Sequence, residues 1–208
     1  MGTDGKRSRA NGREPVLVRE LTDNDRESML AHFLRLNADD RLLRFGHATP
    51  DHVIENYVRT IDFKRDVVFG ISNERLSLVA VGHLAYLPKA GDTRTAELGI
   101  SVLDHSRGMG IGTQLFERAA MRCRNTRVTT LYMYCLSRNT TMMRIARKAG
   151  MRIECAQDSA DAFLTLPPAD QTSLIAELFQ EQAALFDYAI KRQVRRAKQF
   201  IESVMLAQ

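Results

Sequence analysis

The sequence predicts an α+β fold in which a mixed, mostly antiparallel sheet carries helices on both faces, followed by a long C-terminal helix. Runs with apolar residues at every second position alternate with runs at helical spacing, so strands and helices follow one another. The 208 residues, of which 44% are hydrophobic, can bury one core of ordinary size. We therefore divide the chain into a disordered basic tail at 1–13, one domain at 14–168 and a helical extension at 169–208.

In the first part of the domain, the sequence predicts one strand followed by three helices. Residues 15–21 have the composition of a strand. Thr22 and Asp25 form a capping pair that begins the first helix, and Asn37 caps the second. Pro50 fits the first turn of the third helix.

In the rest of the domain, the sequence predicts six strands and two helices. The strands lie at 67–71, 76–86, 95–102, 128–135, 152–156 and 162–166, and the helices at 110–125 and 139–150, the second of which is capped by Asn139. Short turns join the strands at 67–71, 76–86 and 95–102, which makes these neighbours antiparallel, whereas the helical crossover from 95–102 to 128–135 makes that pair parallel.

The stretch from Arg107 to Gly112 is the strongest functional signal. Its glycines, Gly108, Gly110 and Gly112, remove the Cβ atoms that would keep a ligand away from the backbone. Successive amide N–H groups can then point into one concavity at a helix N-terminus, which favours a phosphate or pyrophosphate. The dinucleotide fingerprint and the P-loop are both excluded, because their remaining glycine and Gly-Lys-Ser/Thr positions are not matched.

The motif Arg107-x-x-Gly110-x-Gly112 resembles the acyl-CoA pyrophosphate loop of the GNAT superfamily of acyltransferases. About 27 residues later, the stretch from Asn139 to Met151 resembles the second signature of that superfamily. The resemblance implies acetyl-CoA as co-substrate and no metal. The implied cofactor-binding residues are Ile100, Ser101, Val102, Leu103, Arg107, Gly108, Met109, Gly110, Ile111, Gly112, Thr113 and Asn139.

Glu97, on the strand before the loop, is the candidate general base that takes the proton from an amine. A matching acid occurs on this strand in bacterial protein lysine acetyltransferases, and the alternative role is a salt bridge to Arg94. The tyrosine that often protonates the leaving thiolate in this superfamily falls at Ala146. Tyr132 and Tyr134 could substitute for it or could be core residues.

Residues 36–45 resemble the segment before the acceptor helix in bacterial Pat-type protein lysine acetyltransferases, which also tend to lack that tyrosine. The implied function is transfer of an acetyl group from acetyl-CoA to a primary amine, on a protein lysine or a small molecule, by direct attack on the thioester. The alternative is a non-catalytic acyl-CoA-binding or interaction module that uses the C-terminal helix.

The composition excludes several other classes of protein. Of the net charge of +5, residues 1–13 supply +3, which argues against a broad nucleic-acid-binding face. No apolar run is long enough to span a membrane, and no hydrophobic segment follows the basic N-terminal residues. The three cysteines lack metal-ligand spacing and are typical of reduced thiols. We therefore expect a cytoplasmic protein without a membrane partner.

The C-terminal helical pattern has segregated charges. Residues 170–187 carry a net charge of −4 and residues 191–208 carry +4. Two copies could therefore pair antiparallel in a homodimer, acidic half against basic half. Two alternatives stay open, namely that the helix packs on its own domain, or that its basic part binds nucleic acid.

Overall fold

The computed structural model describes residues 16–89, 91 and 93–205 and places one sheet of seven strands at the centre of the molecule. The strands are β1 (Arg19–Leu21), β2 (Val67–Ser72), β3 (Leu78–Tyr86), β4 (Thr95–Val102), β5 (Thr130–Leu136), β6 (Arg152–Cys155) and β7 (Ser159–Thr165). The helices are α1 (Arg26–Leu34), α2 (Ala38–Phe45), α3 (Asp51–Thr60), α4 (Ile111–Asn125), α5 (Thr140–Lys148) and α6 (Gln171–Met205).

The sheet runs in the order β1-β2-β3-β4-β5-β7-β6, and every neighbouring pair is antiparallel except β4 and β5. The predicted mixed, mostly antiparallel fold is therefore confirmed, including the parallel pair joined by a helical crossover. The tail predicted at 1–13 lies outside the described residues.

The predicted helix caps are confirmed by their hydrogen bonds. The backbone N–H of Thr22 donates to the Asp25 carboxylate at 2.8 Å. The N–H of Asp40 donates to the side-chain oxygen of Asn37 at 2.9 Å, and Asn139 caps α5 in the same way. Each side chain satisfies an N–H group that the first helical turn leaves without an acceptor.

Four strands begin at a residue other than the one predicted, and one of them is β5, which begins at Thr130 instead of residue 128. β1 begins at Arg19 instead of residue 15, because only its last three residues pair with β2. β3 begins at Leu78, because the side chain of Asn73 accepts two backbone N–H groups and lengthens the preceding turn. β7 begins at Ser159, earlier than predicted, because it pairs with β5 along the whole length of that strand.

Apolar side chains pack on both faces of the sheet. The cluster under α4 and α5 includes Leu84, Leu98, Ile100, Leu115 and Leu131. The cluster under α1 and α3 includes Met29, Phe33, Ile54, Val68 and Val81. Because side chains alternate along a strand, the even-numbered residues of β4 face α4, and Glu97, Gly99 and Ser101 face the side of α1 to α3.

The parallel strands β4 and β5 separate after a short contact. Their pairing ends at Glu97 and Tyr132, although β4 continues to Val102 and β5 to Leu136. The sheet therefore contains a gap between these two strands.

The long helix α6 packs on its own domain through ion pairs. The guanidinium of the buried Arg118 on α4 donates to Glu177 at 2.6 Å and to Glu181 at 2.8 Å, and Arg124 pairs with Asp170 at 3.0 Å. These contacts confirm that the acidic part of α6 packs on the domain. None of the helices in the described part of the chain combines the length and the hydropathy needed to cross a membrane.

Candidate functional site

The loop before α4 presents a row of free amide groups. Gly108 and Gly110 have φ of 75° and 81°, the left-handed region that favours glycine. Within the described residues, none of the backbone N–H groups of residues 108–113 donates a hydrogen bond, and the first helical bond is donated by Gln114 to the carbonyl of Gly110 at 3.1 Å. Six consecutive donors at a helix N-terminus are suited to an anion.

A cavity of about 360 Å³ lies beside this loop. The loop, the end of β4, α2 and α5 form its walls. Every cofactor-binding residue predicted from the sequence lines the cavity except Leu103 and Met109. Leu103 is buried in the core under α1 and α3, and Met109 is 48% exposed in a second cavity beside α6.

The backbone of β4 turns hydrogen-bonding groups toward the gap. The N–H of Leu103 donates to the carbonyl of Val79 on β3 at 2.9 Å. By the alternation of an antiparallel ladder, odd-numbered residues of β4 bond to β3 and even-numbered residues point the other way. Ile100 and Val102 therefore direct their backbone groups into the gap, where β5 no longer pairs with them.

Arg107 holds the loop in place. Its guanidinium pairs with the buried carboxylate of Asp40 on α2 at 2.5 Å and donates to the carbonyl of Val102 at 3.2 Å. This arginine therefore connects the loop, β4 and α2. The sequence placed Arg107 in the loop correctly, but it gave no sign of the partner on α2.

Glu97 stands at the mouth of the gap, where the pairing of β4 with β5 ends. Its carboxylate has no hydrogen bond or ion pair to any residue in the described ranges, and Arg94 donates to the carbonyl of Thr126 at 3.3 Å instead. The salt bridge to Arg94 is therefore not formed. The charge of Glu97 contributes to raising the pKa of Tyr57 and of Tyr132, after the larger effect of burial.

Ser101, on the same face of β4, bonds to a buried histidine that sequence reasoning missed. The Nε2 atom of His32 lies 2.7 Å from the Ser101 hydroxyl, and its Nδ1 atom lies 3.2 Å from the carbonyl of Leu78. Burial lowers the pKa of His32 to about 4. The ring is therefore neutral at pH 7, so that Nδ1–H donates to the carbonyl and the Ser101 hydroxyl donates to Nε2.

The tyrosines on β5 have other partners. The Tyr132 hydroxyl donates to Asp161 at 2.6 Å, and burial together with that carboxylate raises the pKa of Tyr132. Tyr134 is exposed and lies beside Gly46. Ala146 on α5 is completely buried in the core. In the described part of the chain, no cluster of three or more His, Cys, Asp or Glu side chains could hold a metal ion.

The family model of the acetyltransferase (GNAT) domain matches residues 16–152. Among solved structures, the GNAT domain of PAT from S. lividans is 18% identical with a TM-score of 0.62, and the match covers 72% of this chain and 89% of that one. The match to the spermidine N-acetyltransferase of Vibrio cholerae, solved with CoA and spermine, has 17% identity, a TM-score of 0.58 and coverage of 72% and 95%.

A third similar structure is the ribosomal-protein-alanine N-acetyltransferase of Brucella melitensis. Its identity to this chain is 16% and its TM-score is 0.56, and the match covers 73% of this chain and all of that one. At these identities the structures share the fold of the chain. The family model covers the loop at 107–112, β4, the gap and α5.

Proposed function

Because this chain belongs to the GNAT family of acetyltransferases, we propose that it transfers the acetyl group of acetyl-CoA to a primary amine, on a protein lysine or on a small molecule. The observation that carries the proposal is the row of free N–H groups at 108–113, which continues into the open edge of β4 and leads to the unpaired carboxylate of Glu97. An anion-binding loop, a groove for an extended arm and a base thus lie along one path.

The loop and β4 suit the two chemical parts of coenzyme A. The pyrophosphate would accept hydrogen bonds from the amides of residues 108–113, as phosphates do at other helix N-termini. The pantetheine arm carries two amides, which can pair with the backbone groups of Ile100 and the N–H of Val102 like an added strand. Asn139 lines the same cavity from the start of α5.

The thioester needs no covalent enzyme intermediate, because it is already activated. The lone pair of the amine forms a bond to the carbonyl carbon, and the C–S bond then breaks and leaves its electron pair on the sulfur of CoA. The amine proton goes to Glu97. A lysine amine is neutral to about one part in a thousand at pH 7.5, so a base that frees its lone pair contributes up to about 4 kcal/mol.

The test is release of free CoA thiol from acetyl-CoA with a panel of amines. The panel holds peptides with an internal lysine, together with spermidine and peptides with an N-terminal alanine, since two proteins of similar fold are named for the last two acceptors. We expect turnover with at least one amine class. Binding of CoA in calorimetry without turnover on any amine would favour the non-catalytic module.

We also propose that the protein forms a homodimer through the outer face of α6. Ile175, Phe179, Phe186 and Ile190 belong to a row of exposed apolar side chains, and the two phenylalanines are 71% and 70% exposed. The row repeats every 11 residues, which keeps it on one side of a straight helix. From Ile175 to Met205 it is about 45 Å long. We define this set, residues 175, 179, 183, 186, 190, 194, 197, 201 and 205, as the apolar row.

The proposed dimer rests on the apolar row and not on pairing of the acidic half of α6 with the basic half of a second copy. Glu177, Glu181 and Asp170 are already paired with arginines of α4 in the same chain, so they are not free for the basic half of a second copy. A second copy is the occupant we propose, because a row with a uniform repeat is complementary to its own antiparallel image.

The three free cysteines are typical of the cytoplasm, where we place the protein.

Light scattering on the full chain tests the homodimer. The double substitution Phe179→Glu and Phe186→Glu leaves the ion pairs to Arg118 in place, and we expect it to convert the dimer to the monomer. Arg192→Glu changes an exposed charge on the same helix outside the apolar row and should leave the dimer intact. A wild-type mass of one chain at every concentration would show that the dimer proposal is wrong.

A further inference from the structure

The space beside Gly99 on β4 is filled by an arginine from another element. A Cβ atom built on Gly99 would lie 2.5 Å from Cζ of Arg44 and 2.6 Å from each of its terminal nitrogens. The guanidinium of Arg44 therefore lies flat against the strand, between Glu97 and Ser101. Arg44 belongs to α2 and, with Ile100 and Ser101, lines the cavity beside the loop at 107–112, which we call the phosphate-binding loop.

A chain of three side chains holds this guanidinium in place. One terminal nitrogen of Arg44 donates to the Tyr57 hydroxyl at 3.0 Å, and that hydroxyl lies 2.8 Å from Nδ1 of His83. Nε2 of His83 lies 3.2 Å from the carboxylate of Asp66. Because a carboxylate accepts hydrogen bonds, His83 carries its proton on Nε2, Tyr57 donates to Nδ1, and the tyrosine oxygen accepts from Arg44.

The positive charge of Arg44 has no carboxylate partner in the described ranges. Its Nε is buried without a hydrogen-bond acceptor, and its only bonded partner is the Tyr57 hydroxyl. Phe45 and Tyr57 face the guanidinium with ring centroids at 5.0 Å and 5.8 Å. Withdrawing a cation from water without an anion is costly. Such an arrangement suits a site where an anion forms only when substrate is bound.

We propose that Arg44 is a catalytic residue that stabilises the negative charge developed by the thioester. The inference rests on the acetyl transfer proposed above. When the amine attacks, the carbonyl oxygen becomes an oxyanion, and when the C–S bond breaks, the charge passes to sulfur. A preorganised cation beside the open edge of β4 lowers the energy of both species.

Neither Ala146 nor Tyr132 can take this role in place of Arg44. Ala146 offers no hydroxyl, and the hydroxyl of Tyr132 donates to Asp161. Glu97 is two residues from Gly99 on the same face of β4, about 7 Å along the strand, so a base for the amine and a cation for the thioester lie side by side. Tyr57, His83 and Asp66 act as positioning residues for Arg44.

The first experiment compares Arg44→Met and Arg44→Lys with the wild type. We expect Arg44→Met to lower kcat about 100-fold, the size of effect found when an oxyanion donor is removed, with the Kd for CoA within threefold of wild type. Arg44→Lys should recover only part of the activity, and added guanidinium ion should raise the kcat of Arg44→Met. Arg59→Gln, which removes an exposed positive charge from α3, should leave kcat unchanged.

The second experiment moves the guanidinium without replacing it. In Gly99→Ala, the new Cβ would collide with the flexible end of Arg44 and displace it. We expect kcat to fall at least tenfold, and we expect no further fall when Gly99→Ala is combined with Arg44→Met, because both remove the same interaction. Gly82→Ala on β3 is the matched control, since its Cβ would meet Leu115 at an ordinary 3.5 Å.

The outcomes separate this inference from the proposed function. Wild-type turnover together with a kcat for Gly99→Ala and Arg44→Met within threefold of wild type would overturn the role of Arg44 and leave the acetyl transfer standing. If Arg44→Met does not fold, Gly99→Ala decides alone. A wild type that binds CoA but acetylates no amine would overturn both.

Discussion

Backbone groups form one half of the cavity, and side chains form the other half. The half at the loop of residues 107–112 is made of backbone, with free N–H groups at 108–113, and apart from the chain neighbours no atom of the described residues lies within 4 Å of a Cβ placed on Gly108 or Gly110. The half at β4 is made of side chains, and there the space beside Gly99 is completely occupied by Arg44. Glycine therefore serves two purposes in one site. In the loop it admits a ligand, and in the strand it admits a side chain from another helix.

The backbone half can be tested by filling the space that glycine leaves open. In Gly110→Val, a β-branched side chain would stand at φ of 81°, where the ligand is expected to approach the backbone. We expect the Kd for CoA to rise about 100-fold, which corresponds to about 2.7 kcal/mol. Isothermal titration calorimetry measures this change.

Gly91→Val is the matched control, because Gly91 also has a positive φ, of 59°, and the described part of the chain beyond its neighbours places no atom within 4 Å of its Cβ position. It lies in the turn before β4 and outside the cavity. Equal effects of the two substitutions on CoA binding would mean that backbone strain, and not access to the amides, determines the affinity.

The side-chain half can be tested at Glu97, where a smaller effect is expected. Glu97→Gln keeps the shape of the side chain but removes its ability to take a proton, so we expect kcat to fall at least tenfold at pH 7 while CoA binding persists. Glu55→Gln, an exposed acid on α3, should have no effect on kcat. Full activity of Glu97→Gln at pH 7 would show that Glu97 is not the base.

The same contrast explains how much the sequence could predict. The glycine spacing of the loop and the caps at Asn37 and Asn139 are local patterns, and each was predicted within a few residues of its position. Glu97 drew attention because it interrupts an apolar alternation within a single strand, and its role as the base stays a prediction. The backbone half of the site, with these few side chains, was therefore predictable.

The network around Arg44 could not be predicted in this way. Its members come from α2, α3, β3 and the segment before β2, and no local pattern indicates that they meet. Leu103 and Met109, which the resemblance places among the cofactor-binding residues, do not line the cavity, because Leu103 is buried under α1 and α3 and Met109 lines the second cavity beside α6. For His32 a signal existed, since it lies beside Phe33 and three residues after Met29 on the buried face of α1.

The smallest predicted effect is a change in the free energy of unfolding with pH. It comes from His32, which is hydrogen-bonded to Ser101 on β4 in the side-chain half of the cavity. Its pKa is about 4 in the folded protein, because burial disfavours the charged ring, and about 6.5 in the unfolded chain. The unfolded state therefore binds more protons between these values. This contribution to stability is fully present above pH 6.5 and is lost as the pH falls toward 4.

At pH 5.5 we expect the wild type to have lost about 1 kcal/mol of unfolding free energy through His32 alone, relative to pH 8. Urea unfolding at the two pH values measures the loss, and His32→Gln should reduce it by that amount. His52→Gln, which replaces an exposed histidine on α3, should keep the wild-type pH dependence. If His32→Gln and the wild type lose the same stability, His32 is not held neutral in the folded protein, and its hydrogen bond to Ser101 does not restrain β4 beside Gly99.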